Sequence, residues 1–199
     1  MILLLSWNTF DMVNKQNIQS LSKKELNGKF VLVRANFNVP IMETISGMRV
    51  GDDTRIKAII PTINFLSANG AKIILCSHLG HPRGKIELAL SLQPVARLLQ
   101  EILLDQNITV HFVEATLGPR VEETKRNLGN GDVMLLENLH FHLEERENDA
   151  EFAAELVKGI DIYVNEAFGL SHKGEYICFT INSHNVLYSS TFAIKILIL

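Results

Sequence analysis

Cysteine is scarce in this 199-residue sequence, which contains only Cys76 and Cys178. Two cysteines cannot build the disulfide framework of a small secreted domain, and each of these lies in an apolar run. Such surroundings are typical of buried thiols in a reducing compartment. We therefore expect a domain held together by its hydrophobic core, which a chain of this length can bury without cross-links.

Long apolar stretches are also missing. No segment reaches the roughly 18 apolar residues that indicate a membrane-spanning helix. The nearest candidate, residues 176–199, is interrupted by Asn182, His184, Asn185 and Lys195. The short apolar run at the N-terminus has no basic residue before it and no small-residue cleavage pattern. Neither a membrane span nor a secretory signal is therefore expected.

The sequence has no excess of positive charge. Its net charge of −3 and isoelectric point near 6.2 give no chain-wide footprint for nucleic acid or an anionic membrane. Three common motifs are absent as well: the GxxxxGK[ST] phosphate loop, the GxGxxG dinucleotide fingerprint and the GxSxG elbow of serine hydrolases. The sequence therefore shows none of these common signatures of a nucleotide site or a serine nucleophile.

What the sequence does contain is a regular alternation of apolar runs and helical patterns. Apolar runs dense in Val, Leu and Ile predict strands at 30–34, 72–76, 108–113, 133–136 and 160–164. Three- and four-residue spacings predict a helix at 53–69. A second helix is capped by Ser91, a short one is expected at 119–128, and a fourth has a capping-box-like start with Glu151 three residues after Asn148. This order predicts an α/β fold, a doubly wound, Rossmann-like parallel sheet with helices on both faces, in a single domain.

The two ends of the chain are less regular than its middle. We divide the sequence into a poorly organised extension at 1–20, the α/β domain at 21–174 and a divergent apolar tail at 175–199.

Polar residues follow four of the predicted strands. The segments are RANFNVP after the first strand, SHLGHPRGK after the second, ENLHFH after the fourth and NEAFGLSHKG after the fifth. Ligands of open parallel sheets bind outside the carboxyl ends of the strands, so these segments predict one binding site. Their donors and cationic or titratable groups suit a small anion.

Other charged residues near these segments receive structural interpretations. The run 144–147 is expected to form a solvated helix entrance. Glu137 and Glu166 are expected to make structural hydrogen bonds at the strand ends rather than to act as an acid–base pair.

These motifs, in this order, resemble the N-terminal half of phosphoglycerate kinase. RANFNVP resembles the family's RVDFNVP, SHLGHP its SHLGRP, LLENLHFH its LLENLRFH and VNEAFGLSH its VNDAFGTAH, while DDTRIKAIIPTINFL resembles its first-helix signature. The match runs from about Lys24 to His172 and fades by Gly174.

The resemblance implies a transferase of glycolysis or carbon fixation, which reversibly transfers a phosphoryl group from 1,3-bisphosphoglycerate to ADP, giving 3-phosphoglycerate and ATP. It implies that this half holds 3-phosphoglycerate, whereas MgATP or MgADP binds to a separate C-terminal domain. We therefore expect no cofactor on this chain, no turnover by it alone, and a complementary nucleotide-binding domain as a candidate partner. Nucleic acid and membrane are not expected as partners, and the compartment is expected to be the cytoplasm or a plastid.

The resemblance also implies the site residues, with Arg55 as the catalytic one and no metal ligand. The substrate-binding set is Asn36, Asn38, Arg55, His78, His81, His140 and Lys173. Three of these positions carry arginine in the family, namely those of His81, His140 and Lys173, and the position of Asn36 carries aspartate. Arginine is always charged and binds anions through two donors, whereas histidine is mostly neutral at pH 7. We therefore expect weak substrate binding that improves below pH ~6.5, where histidines gain charge.

Two alternatives belong to other functional classes. The pairs His78 with His81 and His140 with His142 have spacings that could ligate zinc or copper, although no cysteine or acidic ligand completes the set. A non-catalytic interaction domain is the second alternative, since apolar surface left without its usual cover invites partners.

Overall fold

A seven-stranded sheet organises the part of the chain that the computed structural model describes, which comprises residues 18–45 and 47–167 and the strand backbones at 186–188 and 195–198. In chain order, the strands within these ranges are β1 Phe30–Arg34, β2 Ile41–Thr44, β3 Gly47–Val50, β4 Lys72–Cys76, β5 Val110–Val113, β6 Val133–Leu136, β7 Ile162–Asn165, β8 Val186–Tyr188 and β9 Lys195–Ile198. The sheet order is β5-β6-β4-β1-β7-β9-β8, and the first five of these strands run parallel.

Both faces of the sheet carry a hydrophobic core, as the continuous apolar strands predict. Successive residues of a strand point to opposite faces, and here Val31 and Val33 of β1 belong to one core while Leu32 belongs to the other. Ile74 and Cys76 of β4 lie with Leu32. Cys76 is buried, as expected, and Cys178 lies outside the described residues.

Six α-helices lie in the described ranges: α1 Lys23–Leu26, α2 Thr54–Ala68, α3 Gln93–Leu103, α4 Pro119–Asn127, α5 Leu143–Arg146 and α6 Ala150–Leu156. Apolar residues of α2 and α3 enter one core, and those of α4 and α6 enter the other. The predicted parallel sheet with helices on both faces is therefore confirmed. Among the described helices, none combines the length and apolar character that crossing a bilayer requires.

Three details differ from the sequence-based expectation. The fourth predicted helix begins one residue later, because Asp149 rather than Asn148 caps it: the Asp149 side chain accepts a hydrogen bond from the Phe152 N–H at 2.7 Å. Asn148 instead has a left-handed backbone, with φ of 54°. Ser91 lies one residue before the cap of α3, although its hydroxyl still accepts from the Gln93 N–H.

Strands outside the predicted alternation also occur. β2 and β3 form a separate antiparallel hairpin, and β9 pairs antiparallel with β7. Both β8 and β9 lie within the region predicted as a divergent tail. The division into 1–20, 21–174 and 175–199 stays a prediction.

The register of the central strands brings their carboxyl ends side by side. Arg34, the last residue of β1, is paired with Cys76 of β4 and with Asn165 of β7. The loops that follow these strands therefore leave the sheet at one edge, next to the N-terminus of α2.

Candidate functional site

Arg55 lies in the first turn of α2 and contacts the loop that follows β1. Its Nη1 donates to the Asn38 backbone carbonyl at 2.8 Å and to Asn36 Oδ1 at 3.3 Å. Arg55 is exposed, so the loop holds its guanidinium in place while solvent, or a solute anion, can reach it.

The loop after β4 is joined to the loop after β1. Asn38 Oδ1 accepts a hydrogen bond from the Gly80 N–H at 3.0 Å, and the Ser77 hydroxyl accepts from Phe37 N–H at 2.8 Å. Gly80 has a φ of 61°, and a Cβ there would lie 2.8 Å from a methyl group of Leu90. Glycine thus permits the turn that aims this N–H at Asn38.

Three histidines lie together next to the hydrogen bonds that connect the loops after β1 and β4. The ring centroids of His78 and His140 are 4.4 Å apart, and those of His81 and His140 are 6.0 Å apart. His140 Nδ1 is 3.0 Å from the Gly80 carbonyl oxygen. Whereas His81 is exposed, His78 and His140 are only 2% and 1% exposed.

Burial makes His78 a neutral group. Desolvation, reinforced by the charges of Arg34 and of the neighbouring histidines, lowers the pKa of His78 to about 2. The expectation that the site histidines gain charge below pH ~6.5 is therefore wrong for His78.

A buried ion pair lies behind the histidines. Arg34 Nη2 is 2.8 Å from Glu145 Oε1, and His140 Nε2 is 3.3 Å from Glu145 Oε2. Although burial raises the pKa of Glu145, the Arg34 charge and the His140 contact outweigh it and hold that pKa below the usual value. The run 144–147 was expected to be solvated, and this is wrong for Glu145, which is fully buried.

Asn138 is a second residue whose role the motifs did not indicate. This buried side chain accepts from the backbone N–H groups of Leu79 and His140 and donates to the carbonyls of Leu79 and Leu90. It thereby fastens the loop after β6 to the loop after β4. A buried amide with all its hydrogen-bonding capacity used is expensive to replace.

The two carboxylates after β6 and β7 make structural hydrogen bonds, as expected. Glu137 accepts from the Ser91 hydroxyl and from the backbone N–H groups of Leu92 and Asn138, each at 2.8 Å. Glu166 accepts from the Thr62 hydroxyl, and burial raises the pKa of Glu166.

The structure thus brings together six of the seven residues predicted to bind substrate, although two of them are buried. The six are Asn36, Asn38, Arg55, His78, His81 and His140. Lys173 lies outside the described residues. The exposed part of the cluster consists of Arg55 and His81, with Asn36 and Asn38 partly exposed.

The histidine pairs do not converge on a metal position. His142 Nε2 contacts the Thr116 hydroxyl, and the centroid of its ring lies 5.0 Å from that of Phe152, whereas His140 packs against His78 and His81. Within the described residues, no group of three or more histidine, cysteine or acidic side chains could hold a metal ion. The geometry of the described histidines therefore does not favour the metal-binding alternative.

Known proteins share this arrangement of strands and motifs. The phosphoglycerate kinase from Prochlorococcus marinus (strain MIT 9515) is 45% identical over 161 residues, which are 81% of this chain and 39% of that protein. The phosphoglycerate kinase from Moorella thermoacetica is 49% identical over 154 residues, 77% of this chain and 37% of that protein. The chain thus spans under two-fifths of the length of these relatives.

Solved structures agree with the sequence relatives. The structure of phosphoglycerate kinase from Coxiella burnetii superimposes with a TM-score of 0.64 at 30% identity, over 79% of this chain and 36% of that one. The crystal structure of phosphoglycerate kinase from Pyrococcus horikoshii OT3 superimposes with a TM-score of 0.66 at 31% identity, over 80% of this chain and 38% of that one.

The sequence model of the family named phosphoglycerate kinase matches residues 21–187. That range contains the whole described parallel sheet together with Arg55 and the three clustered histidines. The chain belongs to the phosphoglycerate kinase family and corresponds to its N-terminal half.

Proposed function

We propose that this domain binds 3-phosphoglycerate, and that the ligand lies against Arg55 and His81 at the carboxyl edge of the sheet. The observation that carries this proposal is the fixed position of an exposed arginine at the loop after β1. Two hydrogen bonds from Nη1 orient the guanidinium, and an oriented guanidinium is a strong donor to carboxylate and phosphate oxygens.

The supporting residues differ in what they do. Asn36 and Asn38 hold Arg55 and the loop after β4, and their amides are near enough to contact the same ligand. His140 is engaged with Gly80 and Glu145, so it shapes the loop rather than supplying a free cation. Lys173 remains a predicted substrate residue.

The reaction to which this site belongs would be the family's reversible phosphoryl transfer between 1,3-bisphosphoglycerate and ADP. The phosphoryl group on the carboxyl of the glycerate passes to the terminal oxygen of ADP, leaving 3-phosphoglycerate and ATP. Catalysis of such a transfer consists chiefly of positioning and charge stabilisation. In this scheme Arg55 acts by contacting the glycerate end and orienting it.

These 199 residues alone would bind one substrate without turning it over. The chain spans under two-fifths of the length of its curated relatives, and the resemblance implies that the nucleotide binds to the other half of the family's fold. The nucleotide would bind to a complementary domain, which is the partner we propose. The cytoplasm or a plastid stays the predicted compartment.

Calorimetric titration of the chain with 3-phosphoglycerate tests the binding proposal. Saturable binding that Arg55→Ala weakens by about tenfold or more would support it, because a charge-assisted hydrogen bond contributes about 1.5–3 kcal/mol. Arg126→Ala, which removes an exposed arginine from α4, is the matched control and should leave binding unchanged. Equal losses in both variants, or no binding by the parent chain, would contradict the proposal.

A coupled kinase assay tests the second claim. The chain alone should give no ATP-dependent turnover, and addition of a family C-terminal domain should be required for any. Robust turnover by the isolated chain would refute the assignment of the nucleotide site to another domain.

A further inference from the structure

A cavity of about 410 Å³ lies beyond the carboxyl ends of β5 and β6. Glu114, Ala115 and Thr116 follow β5 and Glu137 follows β6, and all four line the cavity. None of the predicted substrate-binding residues that the structure describes contributes to the lining. The volume is within the range of about 300–1,000 Å³ that small-molecule pockets occupy.

One wall of this cavity is apolar and open to water. Ile86 and Leu88 line it and are 76% and 83% exposed, and the buried Phe141 also lines it. Covering large aliphatic side chains of such exposure with an apolar body removes apolar surface from water, which is favourable. The wall therefore favours a ligand with an apolar part.

The electrostatic character of the cavity is negative. Its described lining residues include two carboxylates and neither lysine nor arginine. The only histidine among them, His142, is held mostly neutral at pH 7 because burial lowers its pKa. The cavity therefore disfavours the anions that suit the Arg55 cluster.

The two carboxylates are not equally available. Glu137 already accepts three internal hydrogen bonds. Glu114 is exposed, and its charged neighbour is the exposed Arg120, whose Nη1 is 3.9 Å from Glu114 Oε2. An ion pair that long and that exposed is weak, so a cation inside the cavity can compete for Glu114.

We propose that this cavity is a second binding site, specific for small organic cations that carry an aromatic or aliphatic body. The ligand's ammonium or amidinium group lies against the Glu114 carboxylate, and its apolar body covers Ile86, Leu88 and Phe141. The cavity shares none of its lining residues with the described residues of the proposed 3-phosphoglycerate site.

Amide NMR of the full 199-residue chain with three probes of one shape tests this proposal. The probes are benzylammonium, neutral benzyl alcohol and benzoate. We expect saturable shifts at the Ala115 and Thr116 amides below about 10 mM benzylammonium, weaker binding of benzyl alcohol, and the weakest binding of benzoate.

Variants of exposed residues separate charge from shape without threatening the fold. Glu114→Gln should weaken benzylammonium binding about two- to fivefold and leave benzyl alcohol unaffected, while Arg120→Gln should strengthen it by a similar factor. Leu88→Ala should weaken the binding of both benzylammonium and benzyl alcohol. Glu123→Gln on α4 and Leu104→Ala, both exposed and outside the cavity, are the matched controls.

Three results would overturn the proposal. One is benzoate binding as tightly as benzylammonium. Another is an equal response of Glu114→Gln and Glu123→Gln. The third is the absence of saturable shifts at Ala115 and Thr116 while far-UV circular dichroism shows a folded chain.

Discussion

Arg34 and Glu145 form an ion pair of 2.8 Å in which the two side chains are 3% and 0% exposed. They are 111 residues apart in sequence, because Arg34 is the last residue of β1 and Glu145 lies in α5. Glu145 also contacts His140, because its second carboxylate oxygen, Oε2, lies 3.3 Å from His140 Nε2. The positions of the clustered histidines therefore depend on a contact that is remote in sequence and hidden from solvent.

Removing the Glu145 charge should be costly. In Glu145→Gln the buried Arg34 keeps its charge but loses the carboxylate, and breaking a buried pair in this way typically costs about 3–5 kcal/mol. Urea unfolding followed by circular dichroism measures the loss. Glu144→Gln, an identical change at the exposed neighbour, should alter stability by less than about 0.5 kcal/mol. Similar effects of the two changes would contradict the role of the ion pair.

Glu166 should destabilise the fold at neutral pH relative to a neutral side chain. Burial raises its pKa, so the folded state favours the protonated form. The protonated carboxyl of Glu166 contributes its full stabilisation of the folded state below the unfolded pKa of about 4.5. That stabilisation is lost as the pH rises through the raised pKa of the folded state.

Glu166→Gln should therefore gain stability over the parent chain as the pH is raised from 4 to 7. Urea midpoints measured at these two values provide the test. Glu123→Gln, at an exposed position, should show no such trend. A difference between parent and Glu166→Gln that stays constant with pH would contradict the burial effect.

Restoring an arginine at the exposed histidine should strengthen substrate binding. His81→Arg adds a permanent charge and a two-pronged donor at an exposed position of the cluster, and we expect about a tenfold tighter complex with 3-phosphoglycerate. His111→Arg on β5 adds the same group away from the cluster and serves as the control in the same calorimetric titration. An equal gain from both would indicate a general charge effect rather than a local contact.

His78 should not contribute to any pH dependence of that binding. Because its pKa is lowered to about 2, it carries no charge between pH 5 and 8. Calorimetric titrations with 3-phosphoglycerate at pH 5 and at pH 8 measure this. The ratio of the two affinities should be the same in His78→Gln as in the parent chain, even if both affinities fall. A changed ratio would show that His78 titrates in this range.

Gly80 should be sensitive to the smallest substitution. Gly80→Ala must adopt a φ of 61° and place its Cβ 2.8 Å from Leu90, and the backbone cost alone is about 1–2 kcal/mol. Gly28→Ala has a similar φ of 75° with nothing within 4 Å of the added Cβ, so it isolates the backbone cost. Thermal unfolding should show a larger loss for Gly80→Ala, and only that variant should weaken 3-phosphoglycerate binding. Equal binding losses would contradict the link between Gly80 and Asn38.

The sequence alone determined the parallel sheet and most of its strands. Strands buried on both faces are continuously apolar, and the apolar residues of a helix that packs on a sheet recur every three or four positions. β1, β4 and β6 begin and end where these patterns predict. It also determined the family, since the strand-end motifs occur in the family's order. The β2–β3 hairpin was missed because its strands are short and largely exposed.

Only the tertiary structure decided which polar residues are buried. Glu145 lies in a charged run that looks solvated, and nothing local distinguishes it from Glu144. A buried arginine at the end of β1 requires a carboxylate, and the fold supplies it from Glu145 of α5, 111 residues away in sequence. The same packing leaves His81 exposed and buries His78 and His140. The three residues are of one type, so their different exposure is set by the residues packed around each ring.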